Sequence, residues 1–206
     1  MARSEKASEE MRAERRETIR RAALKLFAER GLAAARLRDI AAEAGMALGL
    51  LYHYYSSKEA VYQDLVHEAL DRMDQGAQAL LAAEAPAGVK LSYAVGRLLT
   101  DIAENEDFVQ TCRLIAGADY STGLPAEARQ AIEGKRQRPY AAVAALMAQG
   151  QREGTVHEGD PEQLAMLFWA TLNGLALYRA SRKGPVVLPA AEGIERMFLR
   201  QGGPQA

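Results

Sequence analysis

The side chains able to do covalent or metal chemistry are few and scattered. The chain holds three histidines (His53, His67 and His157) and one cysteine, Cys112. Asp64, His67 and Asp71 recur at i, i+3 and i+7, which puts them on one side of a helix where they could bind a metal. The same spacing reads first as a solvated charged face, and no metal is assigned. A single thiol excludes an internal disulfide framework and a cysteine-only metal site. No phosphate-binding glycine loop is present, so the residues assemble no reaction constellation. Neither enzyme activity nor a cofactor is expected.

A second set of residues is spaced for recognition rather than reaction. Ala41, Gly45 and Leu51 stand at intervals of four and six, just after Leu37 and Ile40. Two helices that cross closely need a small residue at the crossing, which Ala41 supplies. The tight turn between them needs a residue tolerant of positive φ, which Gly45 supplies. The second helix must return an apolar side chain to the shared core, and Leu51 can do that. This is helix-turn-helix logic, in which the second helix lies in the DNA major groove. Taken alone, an αα-corner in any helical protein could produce the same spacing.

The elements that must hold these residues read as helices throughout, and the fold class is all-α. Ile19, Ala22, Ala23, Leu26 and Phe27 fall at i, i+3, i+4, i+7 and i+8 on a helix over about residues 8–30, with Gly31 placed as its C-terminal cap. A short helix carries Leu37, Ile40, Ala41 and Ala44 and ends at Gly45, and another follows over about 47–54. Ser57 is an N-cap candidate for a long helix reaching about residue 85, where Pro86 and Gly88 break it. Later helices read as 89–105, 107–118, 125–152, 160–181 and 190–201, with Asp160-Pro161 a good helix start. The spacing predicts a small head of short helices and a larger bundle after it. No strand-like alternation and no solenoid repeat is visible.

Composition bounds the partners. Of 206 residues, 49% are hydrophobic and 26% charged, which fits a soluble globular protein and excludes a disordered or collagenous one. The formal net charge of −1 gives no whole-chain footprint of nucleic-acid binding. By region it divides. Residues 1–60 hold twelve Lys and Arg against nine Asp and Glu, a net of +3, and residues 61–206 hold fourteen against eighteen, a net of −4. Arg12, Arg15, Arg16, Arg20 and Arg21 could add contacts to a nucleic-acid backbone, although five acids are interspersed before residue 18. The mixed N-terminal residues do not read as a signal peptide. The longest uncharged run, 163–178, falls short of the ~20 residues that span a bilayer, so no membrane partner is expected. Cysteine usage suits a reducing cytoplasm.

The motif residues carry a family resemblance. Arg38-Asp39-Ile40-Ala41-Ala42-Glu43-Ala44-Gly45-Met46 and Gly49-Leu50-Leu51-Tyr52-His53-Tyr54-Tyr55-Ser56-Ser57-Lys58-Glu59 resemble the N-terminal domain of tetracycline-repressor-like (TetR family) regulators. Ala23-Leu24-Lys25-Leu26-Phe27-Ala28-Glu29-Arg30-Gly31 is similar to that family's first-helix ending. The resemblance covers roughly residues 12–65; beyond it only length and helical layout agree. It implies a three-helix DNA-binding domain over residues 1–57 and a larger effector-binding and dimerisation domain over 58–206. The implied partners are a double-stranded DNA operator, a small-molecule effector and a second copy of the chain.

Roles follow residue by residue from the resemblance. Leu48, Gly49, Leu50 and His53 are expected to face the groove, Gly49 letting the backbone approach closely. Tyr52 and Lys58 match positions used for phosphate, with Lys58 beside a helix N-terminus. Arg36, Arg38 and Tyr54 are further candidates, and Tyr55 reads as core. Packing is the alternative for Tyr52 and Tyr54, and simple exposure for His53. The sequence departs from the family pattern at Ala35, Ala47 and Leu50. Ala35 and Ala47 would stand near the N-caps of the motif helices, where a lost hydroxyl costs about 0.5–2 kcal/mol. Leu50 offers apolar contact only, for instance to a thymine methyl. A ligand-binding or interaction dimer with degenerated operator recognition is therefore the alternative function.

In the body, Phe108, Cys112, Tyr140 and Met147 are candidates to line an apolar effector pocket, with Arg113, Tyr120 and Asn173 as its orienting polar groups. The run around residues 164–178 is apolar on more than one face, which requires burial on several sides. Leu167, Trp169, Thr171, Gly174 and Tyr178, with Met197 and Phe198 from the final helix, are read as half of an intermolecular four-helix bundle. The alternative is a monomeric core.

Overall fold

The computed structural model describes residues 2–118, 123–182, 184 and 186–200. Among them the chain is all-α: α1 (Ala2–Ala34), α2 (Leu37–Glu43), α3 (Leu48–Tyr52), α4 (Lys58–Ala82), α5 (Ala87–Glu104), α6 (Glu106–Gly117), α7 (Ala126–Arg152), α8 (Pro161–Ala180) and α9 (Ala191–Glu195). Local signals set most boundaries. Gly31, at φ 74°, breaks α1 where a glycine cap is expected, although one further turn follows. The Ser57 hydroxyl accepts from the Ala60 amide at 3.1 Å, and the Asp160 carboxylate from the Glu162 amide at 2.9 Å, each satisfying an amide at a helix start.

Two units emerge from the packing. The first comprises Met1–Glu68 and Leu114–Ile132. Its core draws Ile19, Ala23, Leu26 and Phe27 from α1, Ile40 and Ala41 from α2, Leu51 from α3, and Val61, Tyr62 and Val66 from α4. The α2–α3 turn closes in a Schellman arrangement. The Gly45 amide donates to the Ala42 carbonyl at 3.1 Å and the Met46 amide to the Ala41 carbonyl at 2.9 Å. Gly45 sits at φ 65°, a conformation that a side chain would strain.

The second unit comprises Ala69–Arg113 and Glu133–Ala206. Leu91, Val95 and Leu99 of α5 share its core with Val143, Leu146 and Met147 of α7 and Phe168, Trp169 and Leu172 of α8. Phe168 meets Trp169 edge-on at 5.4 Å and Phe198 at 5.7 Å, both favoured aromatic geometries. After α7 the chain turns back so closely that a Cβ on Gly150 would lie 2.3 Å from a methyl of Val156.

The C-terminal helix expected over 190–201 is corrected. Helix α9 has only five residues, and the chain beyond it turns and then extends. Leu199 forms an antiparallel bridge with Val156, supported by bonds from the His157 amide to the Phe198 carbonyl at 2.9 Å and from the Arg200 amide to the Thr155 carbonyl at 3.0 Å. Ile194 and Phe198 enter the core as the helical period suggests, but one turn followed by an extended pair delivers them there.

Candidate nucleic-acid interface and helical body

Helix α3 divides its side chains cleanly. Leu51 is fully buried, while Leu48 and Tyr52 are 39% and 56% exposed, with Gly49 and His53 exposed beside them. Positions 48, 49, 52 and 53 fall on one helical face, so the apolar content of α3 is split between a core anchor and an outward surface. Leu50 and Tyr54 are half-buried at its margins, and Arg36 and Arg38 are exposed on and beside α2. Tyr55 is core, as its position suggests.

The caps explain part of this surface. Arg36, in extended conformation, is the N-cap of α2 and makes no side-chain capping bond. Ala35 stands next to that cap, one residue earlier, and is wholly buried. A hydroxyl there would be a buried polar group to satisfy rather than an exposed cap. Ala47 is the N-cap of α3, where its methyl caps nothing.

Several charges are already committed to partners in the chain. The Lys58 ammonium donates to the carbonyls of Ala33 at 2.8 Å and Ala35 at 3.0 Å. Arg20, on α1, pairs with Glu17 at 3.0 Å, Asp64 at 3.4 Å and Glu68 at 3.6 Å. The Tyr55 phenol donates to the same Asp64 carboxylate, and burial together with that acceptor pushes its pKa far above the usual phenol value. Asp71 takes a 2.5 Å pair with Lys135, so Asp64 and Asp71 serve different cations. Arg21 leans on Glu17 at 3.4 Å, while Arg12, Arg15 and Arg16 are exposed. Arg38 lies 3.6 Å from Asp39, which also approaches Arg30 at 3.6 Å. Residue spacing did not reveal the Arg20–Asp64–Tyr55 cluster; the one local signal is that Arg20 follows the buried Ile19.

In the second unit the effector candidates separate into two groups. Phe108 and Cys112 are half-buried against Ile102, Val109 and Ala176, and burial pushes the Cys112 thiol up to about 12. Tyr140 stacks on Trp169 at 5.9 Å, and Met147 is fully buried in the same core. Burial raises the Tyr140 phenol as well. Asn173 is half-buried and Arg113 exposed. Tyr120 lies outside the described residues. A polar depression of about 500 Å³ is lined by Arg97, Thr100, Asp101, Glu104, Asn105, Glu106 and Asp107, none of which the sequence singled out.

The residues named for an intermolecular bundle also divide. Trp169 and Phe198 are buried within their own chain. Leu167, Tyr178 and Met197 are about half exposed, Met166 and Leu177 join them, and Gly174 is exposed. Thr171 is half-buried, its hydroxyl bonded to the Leu167 carbonyl at 2.8 Å. The Arg182 guanidinium lies 4.8 Å from the Tyr178 ring centre, a cation–π contact at the end of this surface.

A helix-turn-helix whose second helix exposes Leu48 and Tyr52, in a chain whose other elements are helices, defines the class. Comparison with known proteins agrees. Residues 19–65 match the family described as bacterial regulatory proteins, tetR family, and residues 90–184 match the tetracyclin repressor-like C-terminal domain. The chain belongs to the TetR family. It is 42% identical over 59 residues to the HTH-type transcriptional repressor KstR2 of Mycolicibacterium smegmatis, a match spanning 29% of each protein. The solved ketosteroid transcriptional regulator KstR2 of Mycobacterium tuberculosis superposes with TM-score 0.68 at 23% identity, covering 91% of this chain and 96% of that one. AibR, solved in complex with isovaleryl coenzyme A and operator DNA, gives 0.69 at 17% identity, covering 89% and 95%. At these identities the solved structures share the fold. Among the described residues no helix is long and apolar enough to cross a membrane.

Proposed function

We propose that the chain is a homodimeric, ligand-responsive transcriptional repressor of the cytoplasm, not an enzyme, released from operator DNA by a small-molecule effector. The observation that carries this is the outward face of α3, Leu48, Gly49, Tyr52 and His53, over the buried Leu51. Residues 1–57 form the DNA-binding domain and residues 58–206 the effector-binding and dimerisation domain. Each recognition helix would enter a major groove, the two heads lying about one helical turn or more apart on a near-palindromic site. Arg36, Arg38, Tyr52 and Tyr54 would contact the backbone at its edges, with Leu50 on the groove.

Dimerisation is supported by the exposed apolar residues of α8, which a soluble monomer rarely displays together. Phe108, Cys112, Tyr140, Met147, Asn173, Arg113 and Tyr120 remain the effector candidates. The AibR complex, holding both an acyl thioester and operator DNA, supports pairing the two ligands in this fold. The chain leaves α3 and enters the long helix α4 with no other helix between them, so effector binding in the body has a covalent route to the head. Linkage then requires operator binding to weaken effector binding by the same factor.

Selection of duplexes from a random pool, followed by affinity measured against salt, tests this. A regulator gives log–log slopes of several phosphates at ~0.9 each. Failure to retard any duplex at low salt would sink the reading. It would favour a ligand-binding or interaction dimer with degenerated operator recognition, motivated by Ala35, Ala47 and Leu50; neither cap residue, Arg36 or Ala47, makes a side-chain capping bond.

A further inference from the structure

Helix α3 is five residues long, and its N-cap, Ala47, offers no side-chain bond. So short a helix does not hold its own direction, which tertiary anchors must supply. Leu51 is one anchor, fully buried in the first unit. An apolar contact is non-directional, so a single one leaves the helix free to pivot about it. Tyr55 stands four residues on, its amide bonded to the Leu51 carbonyl at 3.0 Å, and is an anchor of a different kind. It is 6% exposed, yet its phenol finds a charged acceptor, the Asp64 carboxylate on α4. The same oxygen, Oδ2, takes a bond from Arg20 Nη1 of α1 at 3.4 Å. Arg20 is steadied in turn by Glu17 at 3.0 Å and Glu68 at 3.6 Å. Helices α1 and α4 and the end of the recognition segment thus meet at one carboxylate oxygen. A hydrogen bond to that oxygen, unlike the apolar contact, fixes a direction.

We propose that Tyr55 is a positioning residue for operator recognition: its hydroxyl, held by Asp64, sets the angle at which α3 presents Leu48, Gly49, Tyr52 and His53, and touches no DNA itself. This rests on the DNA-binding reading above. A phenylalanine would fill the same core and lack the tie, so one oxygen atom carries the role.

Full-length Tyr55→Phe, Asp64→Ala, the double variant and Asp64→Asn test it. Affinity is measured, well below every unfolding midpoint, for a duplex that the wild type selects from a random pool. Tyr55→Phe and Asp64→Ala each weaken binding at least about tenfold, with an unchanged salt slope. The double variant binds no worse than the weaker single, because both changes remove one bond. Asp64→Asn, which keeps an oxygen for the phenol and loses the ion pair, stays within about threefold of wild type. Amide hydrogen exchange on the free protein adds a second readout. Tyr55→Phe speeds it across residues 51–56 and leaves the second unit unchanged. Losses that multiply in the double variant overturn the proposal. So does Asp64→Asn as weak as Asp64→Ala, which hands the effect to the Arg20 pair. Weakening by Tyr55→Phe but not by Asp64→Ala makes the phenol a DNA contact and overturns it too, as does unchanged affinity. Should Asp64→Ala not fold, Tyr55→Phe decides alone, needing both weaker binding and faster exchange. A wild type that selects no duplex defeats the DNA-binding reading alone, and the exchange rates still decide whether the tie exists.

Discussion

The Tyr62 hydroxyl donates to the Leu114 carbonyl at 2.7 Å, a buried bond between residues 52 positions apart. Leu114 lies in the last turn of α6, whose carbonyls have no partners further along the helix. The Tyr62 ring also meets Phe27 of α1 edge-on at 5.4 Å. One side chain on α4 therefore joins the end of α6 to α1 within the first unit. Tyr62→Phe keeps the ring contact and leaves the carbonyl short of a donor. We expect a loss of about 1–3 kcal/mol in chemical denaturation, with an unchanged fold by circular dichroism.

Gly150 offers a packing prediction. A Cβ there would lie 2.3 Å from a Val156 methyl and 3.0 Å from its Cβ. Gly150→Ala should destabilise by about 1–3 kcal/mol through overpacking. Adding Val156→Ala should make the pair cost less than the sum of the single changes, which a double-mutant denaturation cycle reads directly.

Cys112 sets a pH dependence. Burial raises its thiol from about 9 to about 12, so between those values the unfolded chain loses a proton that the folded chain keeps. Its contribution to stability is complete below pH 9 and falls as pH rises toward 12, by up to about 1.4 kcal/mol per unit. Cys112→Ala should flatten that alkaline limb in denaturation midpoints taken from pH 8 to 11. Alkylation of the native thiol at pH 8 should also be slow compared with the denatured protein.

The apolar residues of α8 separate core from surface in a way two substitutions can read. Trp169 is 7% exposed and Leu167 is 48% exposed, two positions apart. Trp169→Ala should cost about 3–5 kcal/mol of stability. Leu167→Asp should leave the unfolding midpoint of the monomer almost unchanged and shift the sedimentation coefficient from dimer to monomer. A dimer that survives Leu167→Asp at micromolar concentration would remove this face from the interface.

What the sequence made legible was local. Gly45, Ser57 and Asp160 each act within four residues of their partners, so spacing alone marks the turn and two caps, and the apolar spacing of Leu51 marks the core anchor. The unseen contacts join distant positions. Lys58 reaches back 25 residues to Ala33, Arg20 forward 44 to Asp64, and the Ala87 amide meets Glu153 across 66. Residue type could not assign them, because Lys58 beside a helix start and Asp64 on a charged face have ordinary local explanations. The C-terminal helix that the spacing predicts over 190–201 is too long for a related reason. Ile194 and Phe198 have helical spacing, while the distant pairing of Leu199 with Val156 stands where the helix is expected to continue.

That pairing also orders events in time. The second unit's core begins at Leu91 on α5 and is completed by Phe198, which packs on Phe168. Synthesis runs from one to the other, so the apolar faces of α5, α7 and α8 are made long before the residue that closes over them. Contacts this far apart in sequence also carry a larger loop-closure cost and slow the search. The second unit must therefore finish folding only after Phe198 has been made, and until then its half-built core leaves apolar surface that a holding chaperone could cover.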